Sequence, residues 1–465
     1  MTLVAGVDSS TQSCKVVIRD LATGDIVRTG RATHPDGTEI DPRHWWDALQ
    51  AALTDAGGLD DVTAISIAGQ QHGLVALDTH GEVIRPALLW NDTRSADAAT
   101  ALTAEIGAAA YAQRTGLVPV ASFTATKLRW LADTEPDNTA RIAAIALPHD
   151  WLTWRLRGYG PARESTHGPV LDELITDRSD ASGTAYFDPT AHAYDHDLLT
   201  RALRHDTTHI VLPRVLHPAD HVTGPGLLIA PGAGDNAAAA LGLDAHTGDI
   251  GISLGTSGTV FAVTDIAIHD PTGTIAGFAD ATGGYLPLVT TLNAARVLDT
   301  TATLLGVDHT TLADLALTAE PGSAGLVLQP WFQGERTPNR PDATATLYGM
   351  TLASTTRENL ARAAIEGILT GLAEGLDAIR AHDVTADRIL LIGGAAQNPA
   401  VQTIAAQVFD APVTIPEPAE YVALGATVQA AWALTGTRPE WPLHTATTLP
   451  LDTRPIIREQ YAARR

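Results

Sequence analysis

Asp235 is the residue best placed to do chemistry. It follows Ile229-Ala230-Pro231-Gly232-Ala233-Gly234, an apolar strand running into a Gly-Pro turn, and precedes Asn236 and the helix formers Ala237 to Leu241. A carboxylate there reads in two ways. As a helix N-cap it accepts orphan backbone N–H groups. As a general base it takes a proton from a nearby hydroxyl. The flanking glycines admit close approach of a ligand, and the helix dipole favours the ionised form.

Two further stretches suit phosphate. Asp8-Ser9-Ser10-Thr11-Gln12-Ser13, followed by Cys14 and Lys15, is a hydroxyl-rich turn between apolar runs. Its backbone N–H groups, hydroxyls and ammonium match phosphate oxygens, although a polar β-turn has the same composition. Ser253-Leu254-Gly255-Thr256-Ser257-Gly258 repeats the pattern. Polar groups also end other strands: Gly69-Gln70-Gln71-His72-Gly73, Trp90-Asn91-Asp92-Thr93-Arg94, and Gly393-Gly394-Ala395-Ala396-Gln397-Asn398. Strand ends form the ligand crevice of α/β sheets, and glycines between strand and helix admit a nucleotide.

These groups need elements to position them. Leu3–Val7, Ala64–Ala68, Ile250–Ser253 and Arg388–Ile392 read as buried strands. Asp41-Pro42 opens a helix with Trp45, Trp46 and Leu49 inward. Residues 95–160 read as largely helical, and Ser179–Asp188 as a turn with a flanking strand. Thr355 and Glu358 form a capping box for a long helix whose glycines, Gly367, Gly371 and Gly375, predict a close helix crossing. Residues 436–465 read as a solvated end. Laying the second hairpin on the first puts Ser253 on Asp8 and Thr256 on Thr11, an internal duplication. The expected domains are 1–244 and 245–465.

Composition bounds the function. The 465 residues are 45% hydrophobic and carry a net charge of −23. That is globular, and it disfavours nucleic acid or an anionic membrane as partner. The single cysteine, Cys14, allows no intramolecular disulfide and reads as a packing residue, consistent with a reducing cytoplasm. The N-terminus lacks the pattern of a signal peptide, and no apolar run reaches the ~18 residues of a membrane span.

The motifs in order, Gly-Val-Asp-x-x-Thr, Gly-Gln-x-His-Gly, Leu-Trp-Asn-Asp-x-Arg, Gly-x-Gly-Asp-Asn-Ala, Ser-Leu-Gly-Thr-Ser-Gly, Gly-Glu-Arg-Thr-Pro and Ile-Gly-Gly-Ala, resemble the FGGY carbohydrate kinases, from residue 4 to about residue 435. The pattern is most similar to the branch acting on D-xylulose. The resemblance implies two ribonuclease-H-like α/β domains, as in actin and Hsp70 ATPases, with the active-site cleft between them. It implies ATP and Mg²⁺ as cofactors. Asp235 is then the general base, and Asp8 a catalytic carboxylate near magnesium. Thr11, Gln12, Ser13, Lys15, Thr256, Gly393, Gly394 and Asn398 bind ATP. Gln71, His72, Asn236 and Trp90 bind the sugar. Gln71 stands where this branch often carries methionine. Ribulose, a sugar alcohol or glycerol is therefore an alternative acceptor, and a non-catalytic sensor or a filament or chaperone ATPase is the rival of another class. The partner is a small sugar, with a homodimer as the candidate assembly.

Overall fold

The computed structural model describes residues 1–464. The first sheet is built from β1 (Leu3–Ser9), β2 (Ser13–Asp20), β3 (Ile26–Thr33), β4 (Val62–Gly69) and β5 (Leu228–Ile229), with Val222–Thr223 outside β5. The second holds β6 (Asp249–Leu254), β7 (Gly258–Ala262), β8 (Ala276–Ala279), β9 (Tyr285–Thr291), β10 (Arg388–Ile392), β11 (Val413–Pro416) and β12 (Thr445–Leu449), in the order β8-β9-β7-β6-β10-β11-β12. The helices that matter for the site are α1 (Arg43–Asp55), α2 (Thr124–Thr134), α3 (Pro148–Leu156), α4 (Arg178–Ser182), α5 (Asp235–Gly242), α6 (Arg357–Arg380), α7 (Pro399–Val408), α8 (Tyr421–Thr435) and α9 (Pro455–Ala462).

The sheets share a core. β1 pairs antiparallel with β2 and parallel with β4, while β2 pairs antiparallel with β3. β6 pairs antiparallel with β7 and parallel with β10, while β7 pairs antiparallel with β9. Asp8 is the penultimate residue of β1, and Ser253 that of β6. This is the expected two-domain α/β architecture of the ribonuclease-H-like ATPases. Among the described residues no helix is long and apolar enough to cross a membrane.

Every residue of β1 is buried, so both of its faces must be covered. The fully buried Trp45 and Leu49 of α1 belong to the core on one side of the sheet. The other side is covered by α8, which comes from the far end of the chain and packs on β1, β4 and α5. Its fit depends on missing side chains. A β carbon on Gly425 would lie 1.7 Å from the Ala238 carbonyl oxygen in α5, and one on Gly6 would lie 2.2 Å from that of Ala423.

Four local expectations change. The long helix is capped by Thr356, whose hydroxyl accepts from the Asn359 N–H at 3.2 Å; the Thr355 hydroxyl instead donates to the Thr351 carbonyl at 2.7 Å. The α6 glycines do not mark a helix crossing: Gly367 abuts the Leu328 carbonyl, Gly375 meets Val289 of β9, and Gly371 faces open space. The tail is not a solvated end. β12 extends the second sheet, and α9 buries Ile457 and Tyr461. The Ser179–Asp188 segment ends in the expected strand, Phe187–Asp188, but begins in the short helix α4, capped by Asp177 through the Ser179 and Asp180 N–H groups.

The sheets meet through α4. The Arg178 guanidinium reaches the Asp280 carboxylate at 3.2 Å, with both residues buried, and the Ala279 N–H of β8 donates to the Ser182 hydroxyl at 3.0 Å. The α5–α8 contact is the more restrictive seam, because backbone meets backbone there. Replacing Gly425 with Val should destabilise the protein by at least about 1–3 kcal/mol. The readout is a lower thermal melting midpoint; an unchanged midpoint contradicts the seam.

Candidate active site

Asp235 is the first residue of α5, not its cap; Gly234 holds the cap position without a side-chain bond. The half-buried Asp235 carboxylate turns back on its own helix start. Its Oδ1 accepts from the Asn236 N–H at 2.8 Å and from the Asn236 side-chain amide at 3.0 Å. The same amide donates to Gln71 Oε1 at 3.2 Å, and Gln71 Nε2 donates to the Ser179 carbonyl at 3.4 Å. Three of the expected residues thus form one hydrogen-bonded row. The turn before them is forced: Gly232 has φ 90°, and a β carbon there would sit 2.4 Å from His149 Nδ1.

Asp8 supplies the second carboxylate. Lys15 Nζ lies 3.3 Å from its Oδ2, and the Ser10 hydroxyl donates to the same oxygen at 3.2 Å. Oδ1 is buried and has no hydrogen-bond partner among the described residues. Burial and the charge of Asp8 push the Asp235 carboxyl up to about 7, so its proton is held far more tightly than an exposed aspartate's.

His72 is held in a left-handed conformation, with φ 70°. Its ring lies against Phe123 and against Phe278 of the second domain, with centroids 5.1 and 5.6 Å away. Nδ1 faces the Gly183 carbonyl at 2.9 Å, so Nδ1 carries the hydrogen and Nε2 is left as an acceptor. Burial, with Lys127 adding to it, drives the imidazole down to about 3, and it is neutral at ordinary pH. Lys127 is a residue that pattern reading missed. Fully buried on α2, it donates to the His72 carbonyl at 2.8 Å and to the Ser122 carbonyl. Burial lowers its ammonium to about 7. One lysine in a helix of mixed polarity carries no spacing signal.

The phosphate-loop residues divide. Thr11 is half-buried and Gln12 exposed at the first hairpin tip. The Trp90 indole N–H donates to the Thr11 hydroxyl at 2.8 Å, which sets Trp90 beside the first hairpin tip. Ser13 is buried in β2, its carbonyl accepting the Ser10 N–H that closes the turn. Lys15 bridges Asp8 and Glu420, the latter at 2.6 Å. In the second domain Thr256 is exposed beyond β6. Gly393 and Gly394 follow β10, where a β carbon on Gly394 would meet nothing within 4 Å. Asn398 caps α7, its side-chain oxygen accepting from the Ala400 and Val401 N–H groups, so only its amide nitrogen is left for a ligand. Arg336, from the Gly-Glu-Arg-Thr-Pro loop, bears electrostatically on His72 and donates to the Thr290 hydroxyl at 3.1 Å.

A proton-hungry carboxylate beside a second carboxylate with an open oxygen, together with a hydroxyl-rich hairpin in each domain, supplies parts that phosphoryl transfer needs. The chain matches the N-terminal domain of the FGGY family of carbohydrate kinases over residues 3–242 and the C-terminal domain over 250–434. It is 46% identical over 455 residues to a xylulose kinase of Streptomyces rubiginosus, covering 94% of this chain and 89% of that protein. A xylulose kinase of Streptomyces coelicolor is 45% identical over 452 residues, covering 93% and 88%. The crystal structure of a xylulose kinase from Bifidobacterium adolescentis superposes with a TM-score of 0.94 at 48% identity, covering 100% of this chain and 99% of that one. With both halves matched in order and the cleft parts in place, the chain belongs to the FGGY family of carbohydrate kinases.

Proposed function

We propose that this chain transfers the terminal phosphoryl group of ATP to a hydroxyl of D-xylulose, giving D-xylulose 5-phosphate, with Asp235 as the general base. The observation that carries the mechanism is the row Gln71–Asn236–Asp235 beside Asp8. It supports a base whose affinity for a proton suits neutral pH and whose orientation is fixed by amides that cannot themselves ionise. Relatives named xylulose kinases support the choice of sugar.

Asp235 orients the attacking hydroxyl and receives its proton. The neutral Nε2 of His72 accepts a hydrogen bond from the sugar, and Gln71 and Asn236 offer uncharged amides, which suits a ligand of hydroxyls without charge. Asp8 Oδ1, buried and without a donor, suits a hard cation, so Asp8 holds Mg²⁺ directly or through water. Thr11 and Gln12 on one side, and Thr256, Gly393, Gly394 and the Asn398 amide nitrogen on the other, flank the phosphates and the adenosine. The open space over Gly394 fits that role. ATP supplies the phosphoryl group, and Mg²⁺ supplies charge to its oxygens.

The test is a coupled ADP-release assay with D-xylulose, ribulose, glycerol and sugar alcohols. D-Xylulose should give the highest kcat/KM, and release no faster with any sugar than without rejects the kinase reading. Asp235→Asn should lower kcat by about 10²–10⁴-fold while calorimetry still detects sugar binding; near-normal turnover removes the base role. The active form of Asp235 is deprotonated, so kcat/KM should fall as pH drops through about 7 and level off above it. An acid limb near pH 4 contradicts this. Lys127→Met leaves the His72 and Ser122 carbonyls unpaired, a cost of about 1–3 kcal/mol. It should raise the KM for sugar more than that for ATP; equal shifts in both contradict the assignment.

A further inference from the structure

Beneath the glycine turn lies a knot of charge that the transfer reaction does not use. His149 and Asp150, at the start of α3, face Asp177 and Asp180 of α4, and all four are buried. His149 Nε2 is 3.3 Å from Asp150 Oδ1, 3.2 Å from Asp180 Oδ2 and 3.5 Å from Asp177 Oδ1. Backbone donors satisfy part of the set. Both Asp177 oxygens accept N–H groups of α4, and Asp150 Oδ2 accepts the Leu147 N–H at 2.7 Å. Among the described residues Asp150 Oδ1, both Asp180 oxygens and both His149 ring nitrogens have no hydrogen-bond partner, so His149 meets Asp150 and Asp180 as a close charge and not through an aligned bond. Desolvation and mutual repulsion both oppose three carboxylates buried together; they raise Asp150 and Asp180 above the usual carboxylate range and favour a positive charge among them. Among the described residues, His149 is the one basic side chain within 3.5 Å of all three.

What this knot fixes is α4, and α4 reaches each part of the site. The Ser179 hydroxyl accepts the Gly234 N–H at 3.1 Å, just before Asp235. The Ser179 carbonyl accepts Gln71, and the Gly183 carbonyl faces His72. Arg178 and Ser182 bind the second domain. His149 also underpins the catalytic turn directly, since Gly232 lies on its Nδ1 and Gly69 on its Cβ.

We propose that His149 is a positioning residue for phosphoryl transfer: as an imidazolium it ties Asp150 to Asp180 and so fixes the short helix that sets Asp235, Gln71 and His72 in register. Burial works against that charge, but the carboxylates of Asp150, Asp177 and Asp180 outweigh it and push the imidazole up to about 9. Tyr186 and Tyr194 also face the cluster and remain neutral phenols, raised by burial. Asp235 adds its negative charge from the site side.

This inference rests on the kinase reading above, and its test separates the two. Kinetics of the whole enzyme are compared with those of His149→Gln, which keeps an amide without charge, and His149→Lys, which restores a cation. His149→Gln should lower kcat by about 10²-fold, the scale of a misplaced reacting group, with the KM for ATP little changed. His149→Lys should recover most of that loss. Wild-type kcat in His149→Gln, or a His149→Lys enzyme no better than His149→Gln, overturns the proposal. If His149→Gln does not fold, His149→Lys decides alone: sugar-dependent turnover within about tenfold of wild type supports it, and a greater loss overturns it. Metal analysis is the second measurement. A stoichiometric divalent ion in the purified protein that disappears in His149→Gln makes His149 a neutral ligand and overturns the imidazolium. Absence of sugar-dependent ADP release in the wild type fails the kinase reading instead.

Discussion

Two carboxylates in one partly dried cleft define this molecule. Asp8 and Asp235 repel one another, and burial sharpens the repulsion because less water screens it. The conflict is useful because the two are answered differently. Asp8 has Lys15 and Ser10 on one oxygen and leaves the other open, which suits a cation. Asp235 has only neutral amides around it, which leaves it hungry for a proton. The strand β1 and the glycine turn are the devices that hold the pair at that separation, and both are over-determined by packing on each face.

The second domain meets the surroundings of this pair through β8 and the residue that follows it. Phe278 presses on the ring of His72, and Asp280 binds Arg178. The surroundings of His72 are therefore not the property of one domain. The short helix α4 lies where these contacts converge, which explains why a five-residue element contains so many buried polar groups.

Much of this was legible from local pattern. The two hairpins show in the sequence because a run of hydroxyls between apolar alternations has few structural alternatives, and their overlay matches the shared strand order of the two sheets. Asp235 was legible for the same reason, although its place one residue inside the helix was not. What escaped notice depends on distance along the chain. Nothing near His149 announces Asp180, and nothing in α2 announces that Lys127 ends at the His72 carbonyl. The regular glycines of α6 looked like a helix seam, whereas the real backbone-to-backbone seam uses Gly425 against α5. The Thr355 cap lost to its neighbour because its hydroxyl had a closer acceptor one turn back. The tail looked solvated because of Arg454, Arg458, Arg464 and Arg465, whereas Ile457 and Tyr461, which anchor its helix, lie only one helical turn apart.

The path of α8 has a consequence for how such a chain comes into being. The sheet that carries Asp8 is complete in strands once residue 234 has been made, yet one of its faces lacks its main cover until residues 421–435 arrive. On a ribosome that interval is nearly two hundred residues of synthesis. The nascent first half must wait with apolar surface open to water, or to a chaperone, before its own last wall is delivered.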